Sequence, residues 1–423
     1  MLTSADSFSI SALVPFPLPV PVLIFRIAPW LCFLCFLARV SPVDAARVKW
    51  EVSGSGFEDH PSLPELKRHA GEAASEALGR LHVELGIEKG SLPIRWLLDC
   101  NDATGNERSP RFFQLGSTSF VEGSVLVRLP VKKYLYAPES VRQVATHEAV
   151  HAALASARGS RRRYQAVPYW FREGMALLFS GEGDIVLSER IAYTVYEGRP
   201  STSFLKGLPP PGFQGGATFG FSVSPAEGYL ATLWIRERIG AVGFRALCSQ
   251  VAKGGELDSL LAVLLGSSHE ALRAEALRDA RTKITETLPP GRERAFQEAL
   301  AARSRGAGQE AARVLSEILG QERRGQDRRR PLAGTVHYLL ARQALDDGHK
   351  PEARRHLEDL LELPGTLWRP ETLVLLGELL WSAGKKEEAQ LRWQEVLVVF
   401  GEDRVPAERA RGNLARRNRT LER

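Results

Sequence analysis

The chain has 423 residues, 44% of them hydrophobic and 25% charged. That is room for two or three domains with a sizeable core, and it excludes a peptide hormone, a disulfide-stapled miniprotein and wholesale disorder. The net charge of +6 (56 Lys+Arg against 50 Asp+Glu) is spread along the sequence apart from short clusters such as Arg161–Arg163 and Arg328–Arg330, so no nucleic-acid partner is expected.

Residues 1–45 read as an export signal peptide. Pro15, Pro17, Pro19 and Pro21 break any helix in the first half, Arg26 supplies a short basic region, and Ile27 to Leu37 is an apolar run too short to span a bilayer. Val43 and Ala45 are small residues suited to cleavage after Ala45. The competing reading is an uncleaved anchor, the one case in which a membrane enters. Neither Cys32 nor Cys35 has the small residue before it that lipid attachment needs. In an oxidising compartment Cys100 and Cys248 either pair or remain as buried thiols.

From Arg47 to Pro138 helix and strand signals alternate. Leu66, Ala70, Ala74, Leu78 and Leu81 fall on one face of a helix predicted over Leu63–Gly86. Strands are predicted at Pro93–Leu98 and Phe120–Leu129, with a polar loop between them. This is a small mixed α/β lobe. Glu139 to about Ala280 is mainly helical, interrupted by a long loop over Gly181–Ser224 that contains Pro209–Pro211 and Gly215–Gly216.

The predicted helix over Glu139–Ala157 carries His147-Glu148-Ala149-Val150-His151, the H-E-x-x-H pattern. Residues four apart differ by only about 40° around a helix, so both imidazoles can hold one metal ion. Glu148 is displaced by about 100°, where it can reach a water at the metal without replacing a ligand, which suits a general base. Two incidental histidines on a helix are the plain alternative. A catalytic tetrahedral zinc needs a third protein ligand. The H-x-x-G-x-x-H continuation is absent, because Leu154 replaces the glycine and Ala157 the histidine. A second helix opened by Pro168 instead offers Glu173, 22 residues after His151, with Gly174 beside it to let two backbones approach closely.

HEAVH followed by PYWFREGMALLFSG resembles the gluzincin metallopeptidases, more particularly the peptidase MA-like proteins, over about Leu63–Ala280. The resemblance implies an α+β fold with a gluzincin-like zinc catalytic domain, and Zn²⁺ held by His147, His151 and Glu173 with Glu148 as base. It also implies that an aromatic hydroxyl from the stretch beginning at Gly228 faces the zinc, which makes Tyr229 the oxyanion candidate in competition with Tyr169, Tyr193 and Tyr196. Some gluzincins orient the first histidine with a carboxylate four residues past the glutamate ligand. That place is Leu177 here, which leaves the partner unidentified. Val125, Val127 and Leu129 are similar to the edge strand on which gluzincins bind an extended peptide, although an ordinary core strand explains them equally well.

Beyond Pro289 the sequence repeats: GAGQEA at Gly306, GHKPEA at Gly348 and GKKEEA at Gly384, spaced by 42 and 36 residues. Each glycine is expected in a turn between helices, and Ala311, Ala353 and Ala389 where paired helices come close. The pattern resembles tetratricopeptide repeats, with a generic helical bundle as the plain alternative. The predicted layout is therefore a signal peptide over 1–45, a zinc metallopeptidase domain over 47–288 and a helical repeat array over 289–418. Each hairpin is expected to contact mainly its neighbours, so that the first domain folds without the array. The function this predicts is hydrolysis of peptide or protein substrates by an exported enzyme, with a protein partner recruited by the repeats. The rival reading is an exported scaffold that uses the repeats for binding and carries a vestigial zinc domain.

Overall fold

The computed structural model describes residues 50–53, 57, 59–100, 116–205, 224–324, 330–365, 367–401 and 403–421. The signal-peptide reading, the polar loop before residue 116 and the proline and glycine pairs at 209–216 lie outside the described residues.

Among the described residues, four short strands form one mixed sheet: β1 (Trp50–Ser53), β2 (Ile94–Asp99), β3 (Ser117–Val121) and β4 (Ser124–Pro130), in the order β1-β2-β4-β3. The first two pairings are parallel, and β3 runs antiparallel to β4. The single strand expected over Phe120–Leu129 is thus a hairpin. Glu122 and Gly123 turn it with φ of 44° and 73°, the left-handed pair that a two-residue hairpin loop needs. Because β4 is paired on both sides and almost wholly buried, it is a core strand with no free edge for a peptide. Among the described residues, the edge strand on this side of the sheet is β3.

Helix α1 (Leu63–Leu85) buries Leu66, Ala70, Ala74, Ala77 and Leu81. Its alanines face α2 (Val141–Arg158), itself rich in buried alanines, so the two helices pack closely while α2 also covers β4. Gly159, at φ 72°, ends α2 by donating its N–H to the Ala155 carbonyl. A one-turn helix α3 (Arg161–Gln165) follows, and then α4 (Tyr169–Ser180), which opens after Pro168. Within the loop expected over Gly181–Ser224 there is instead a helix, α5 (Gly183–Tyr196). Its buried Val186, Leu187, Ile191 and Val195 recur at helical spacing, a signal hidden by the flanking Gly and Pro residues. Helix α6 (Pro225–Ala252) begins with a capping box between Ser224 and Glu227 and kinks at Gly240. Two further helices, α7 (Leu257–Leu265) and α8 (His269–Thr287), complete this part.

The remainder is helical: α9 (Pro290–Ser304), α10 (Gly308–Arg324), α11 (Ala333–Asp346), α12 (Lys350–Leu361), α13 (Arg369–Ser382), α14 (Lys386–Val399) and α15 (Arg404–Leu421). In the hairpins α9/α10, α11/α12 and α13/α14, the turn glycines Gly306, Gly348 and Gly384 have φ of 80°, 78° and 80°. Ala311, Ala353 and Ala389 are buried at the matching place on each second helix.

The chain does not divide into separate cores at Pro289. One apolar cluster joins Leu187, Ile191 and Val195 of α5 and Leu230 of α6 to Phe296 of α9, Ile318 of α10 and Val336 of α11. Polar contacts follow the same seam: Ser201 Oγ donates to Glu293 at 2.6 Å, and the Leu367 N–H donates to Glu189 at 2.9 Å. Further along, Lys133, just after β4, donates to the Val399 carbonyl at 2.7 Å. The hairpins contact mainly one another, as expected, but α9, α10 and α11 also share the apolar cluster with the first lobe, and the end of α14 touches it through Val399. Cys100 and Cys248 are both buried and are not joined to each other by a disulfide.

Candidate metal centre

Helix α2 presents His147 and His151 one turn apart, and α4, packed beside it, brings Glu173 to the same point. The two Nε2 atoms lie 3.1 Å apart. Glu173 Oε2 is 3.6 Å from His147 Nε2, and its Oε1 is 3.4 Å from His151 Nε2. Ligands about 2.0–2.1 Å from a tetrahedral zinc are separated by about 3.3–3.4 Å, so the three side chains already stand close to that spacing. Two borderline nitrogens and one carboxylate are also the donor set of gluzincin-type zinc sites.

The outward nitrogens of both rings are held. His147 Nδ1 lies 2.9 Å from Glu182 Oε2, and Ser180 Oγ donates to the same carboxylate oxygen at 2.9 Å. His151 Nδ1 lies 3.1 Å from the Tyr164 hydroxyl. Each Nδ1 can then carry its hydrogen towards oxygen, which leaves the Nε2 lone pairs for a metal. The orienting carboxylate is therefore Glu182, at the head of α5, and Leu177 is an apolar core residue. Tyr164 is placed by the turn after α2, where Arg158 reaches the carbonyls of Arg163 and Val251 at 2.9 and 2.8 Å. Arg172 lies over its ring, 4.4 Å from the centroid. Burial pushes the Tyr164 phenol up to about 12, against the opposing charge of Arg172.

Electrostatics couple the ligands. Burial works against ionisation of Glu173, but the charge of His151 and hydrogen bonds from both imidazoles outweigh it and hold the carboxyl well below the usual carboxylate range. Burial likewise disfavours the charged form of His147. Glu173 and Glu182 prevail, and the imidazole pKa is raised well above 6.5. Without a metal the pocket thus favours a proton on His147 between two carboxylates.

Glu148 is buried at the side of this cluster, and Thr118 Oγ1 of the edge strand β3 donates to it at 2.6 Å. Gly116, just before β3, lies so close that a Cβ there would come within 2.8 Å of Glu148 Cγ and 2.9 Å of its Oε1. The strand therefore fixes the rotamer of the expected base. Gly174 permits a close approach, as its place in the sequence suggested, but its neighbour is α6: a Cβ would come within 2.3 Å of the Gly228 carbonyl oxygen. Helix α4 is thus packed on α6 through Gly174 while it lies beside α2.

Tyr229 is buried on α6 in the second apolar cluster, its ring against Gly183 and its hydroxyl donating to Asp184 at 3.0 Å. Tyr196 packs on Trp368 with ring centroids 4.6 Å apart, and Tyr193 is engaged by Glu197. Tyr169 opens α4, where burial and then the charge of Glu173 push its phenol pKa upward. Sequence reasoning missed Glu182, Tyr164 and Thr118. Glu182 fell in the expected loop, and the other two stand at no spacing that a motif defines.

No family model, curated protein or solved structure matches this chain.

Proposed function

We propose that the protein is an exported zinc metallopeptidase of gluzincin type, related to the peptidase MA-like proteins. The observation that carries this reading is the convergence of His147, His151 and Glu173 at 3.1–3.6 Å with both Nδ1 atoms tied to oxygen. A bound zinc ion supplies Lewis acidity towards a carbonyl oxygen and towards water. Glu148, held by Thr118, takes the proton of the attacking water and passes it to the leaving amine. Glu182 and Tyr164 keep the imidazoles aimed and in the required tautomer.

The exposed edge beside the base is β3, so an extended substrate backbone adds to β3 rather than to β4. Tyr229 can donate to the developing oxyanion only by giving up its bond to Asp184. Tyr169, next to Glu173 on α4, is the other tyrosine available for that task. The hairpins beyond Pro289, similar to tetratricopeptide repeats, offer a surface for a protein partner.

The test is cleavage of an unstructured peptide library by the mature protein. Activity should be lost on chelation and restored by zinc. A zinc-loaded protein that cleaves nothing would leave the scaffold reading in its place.

A further inference from the structure

A second group of metal-ligating side chains lies far along the chain from the first, in the α11/α12 hairpin. His337 on α11 and His356 on α12 are both buried, and their Nδ1 atoms are 3.1 Å apart. Asp359, three residues after His356 and so on the same face of α12, brings Oδ2 to 3.8 Å from His337 Nδ1. The three donor atoms all lie within 4.8 Å of one another. The imidazole spacing equals that of the first centre, 3.1 Å, again close to the tetrahedral edge of about 3.3–3.4 Å.

A hydrogen bond between two neutral imidazoles explains the 3.1 Å contact by itself. It does not explain the carboxylate. His337 Nδ1 can offer one hydrogen, yet a second imidazole nitrogen and a carboxylate oxygen both converge on it. Two imidazole nitrogens and a carboxylate oxygen this close together form a donor set that one divalent cation can share.

We propose that His337, His356 and Asp359 form a second divalent-metal site that ties α11 to α12. Two imidazole nitrogens and one carboxylate select a first-row transition ion, zinc foremost, over magnesium or calcium, which take oxygen ligands. The Asp359 side chain is 38% exposed, so the ion can enter from that side and water can complete its coordination. The role is structural: α11 also contributes Val336 to the cluster shared with α5, so a metal that fixes this hairpin stiffens the seam between the array and the first lobe.

The test measures zinc per chain on the full-length mature protein after dialysis against zinc chloride, for the wild type, His151→Ala, His356→Gln and Asp359→Asn, with circular dichroism to confirm folding. Two ions are expected in the wild type, one for each of the two side-chain groups, and one in each variant. Asp359→Asn should also lose one set of tetrahedral absorption bands after cobalt substitution while still cleaving peptide. Should the buried His356→Gln fail to fold, Asp359→Asn, altered at a partly exposed carboxylate, carries the test alone. A wild type that binds one ion, lost in His151→Ala and kept in Asp359→Asn, overturns the second site. So does a wild type with two ions whose Asp359→Asn and His356→Gln variants both keep them. One ion that survives His151→Ala and is lost in Asp359→Asn sinks the first centre and leaves this one standing.

Discussion

Glu182 lies 2.9 Å from Nδ1 of His147 although nothing in the H-E-x-x-H motif requires it. The carboxylate stands at the head of α5, whose further course carries Glu189, bound to the Leu367 N–H, and Tyr196, packed on Trp368. The group that orients His147 is thus on the same helix that receives the C-terminal hairpins. Glu182→Gln should fold and still bind zinc at the first centre, with affinity lowered about 10–100-fold as for other partners of metal-bound histidines. Competition with a chromophoric chelator measures this, and unchanged affinity would remove Glu182 from the role.

Glu148→Gln should keep its zinc while peptide cleavage falls about 10²–10⁴-fold, because the amide is nearly isosteric but cannot take the proton. Thr118 Oγ1, now 2.6 Å from a carboxylate oxygen, can still donate to the amide oxygen, so the rotamer is kept. Metal analysis alongside turnover separates loss of the base from loss of the ion. Wild-type turnover in this variant would mean that the base lies elsewhere.

His147, Glu148 and His151 are legible in the sequence because a helix of known pitch fixes their mutual placement. Glu173 follows from a proline-opened helix at a workable distance. The partners that finish the centre are not legible, since Glu182, Tyr164 and Thr118 arrive from a helix head, a one-turn helix and a strand whose placement only tertiary packing decides. The same limit hid the shared core. The apolar faces of α9 and α10 look alike in sequence whether they cover another hairpin or α5, so periodicity located the helices without saying what Phe296 and Ile318 touch. Gly174 shows a milder form: the need for a close approach was readable, but its partner, Gly228 on α6, was not.

Zinc binding at the first centre should strengthen with rising pH. His147 must lose a proton to bind, and its pKa in the empty pocket is raised well above 6.5, burial being overcome by Glu173 and Glu182. One displaced proton gives about a tenfold gain in apparent affinity per pH unit until the raised pKa is passed. The metal-free protein behaves in the opposite sense. Its raised His147 contributes stability that is complete below 6.5 and lost as pH rises through the folded value. Its depressed Glu173 contributes stability present above 4.5 and lost as pH falls through the folded value. The empty pocket is therefore most stabilised between 4.5 and 6.5. The difference in Tm between zinc-loaded and chelated protein should widen from pH 6 to pH 8, measured in a His356→Gln background to remove the second group. A difference that narrows over that interval would contradict the charge assignment.

Cutting the chain before Pro289 should damage the first lobe. The sequence organisation favours the opposite outcome, because hairpin arrays ordinarily pack on themselves, but Leu187 and Ile191 of α5, 1% and 0% exposed, belong to a cluster that includes Phe296 of α9, Ile318 of α10 and Val336 of α11. Fully burying one such side chain contributes about 1.5–3 kcal/mol, so uncovering Leu187, Ile191 and Val195 even in part removes a substantial share of a stability that is ordinarily about 5–15 kcal/mol. The cut also takes away Glu293, Leu367 and Trp368, which hold Ser201, Glu189 and Tyr196, and α5 keeps only its packing on α4 and α6. Because Glu182 heads that helix, the fragment 47–288 should show a lowered Tm or aggregation together with weaker zinc binding at the first centre. Phe296→Ala in the full chain is the gentler version: it opens a cavity at a fully buried aromatic for about 3–5 kcal/mol without deleting any polar contact named here. Thermal melts and zinc titrations on both proteins decide the matter. A fragment that stays soluble, melts cooperatively near the full-length temperature and binds zinc equally well would show that the shared cluster is dispensable and that the first lobe folds alone.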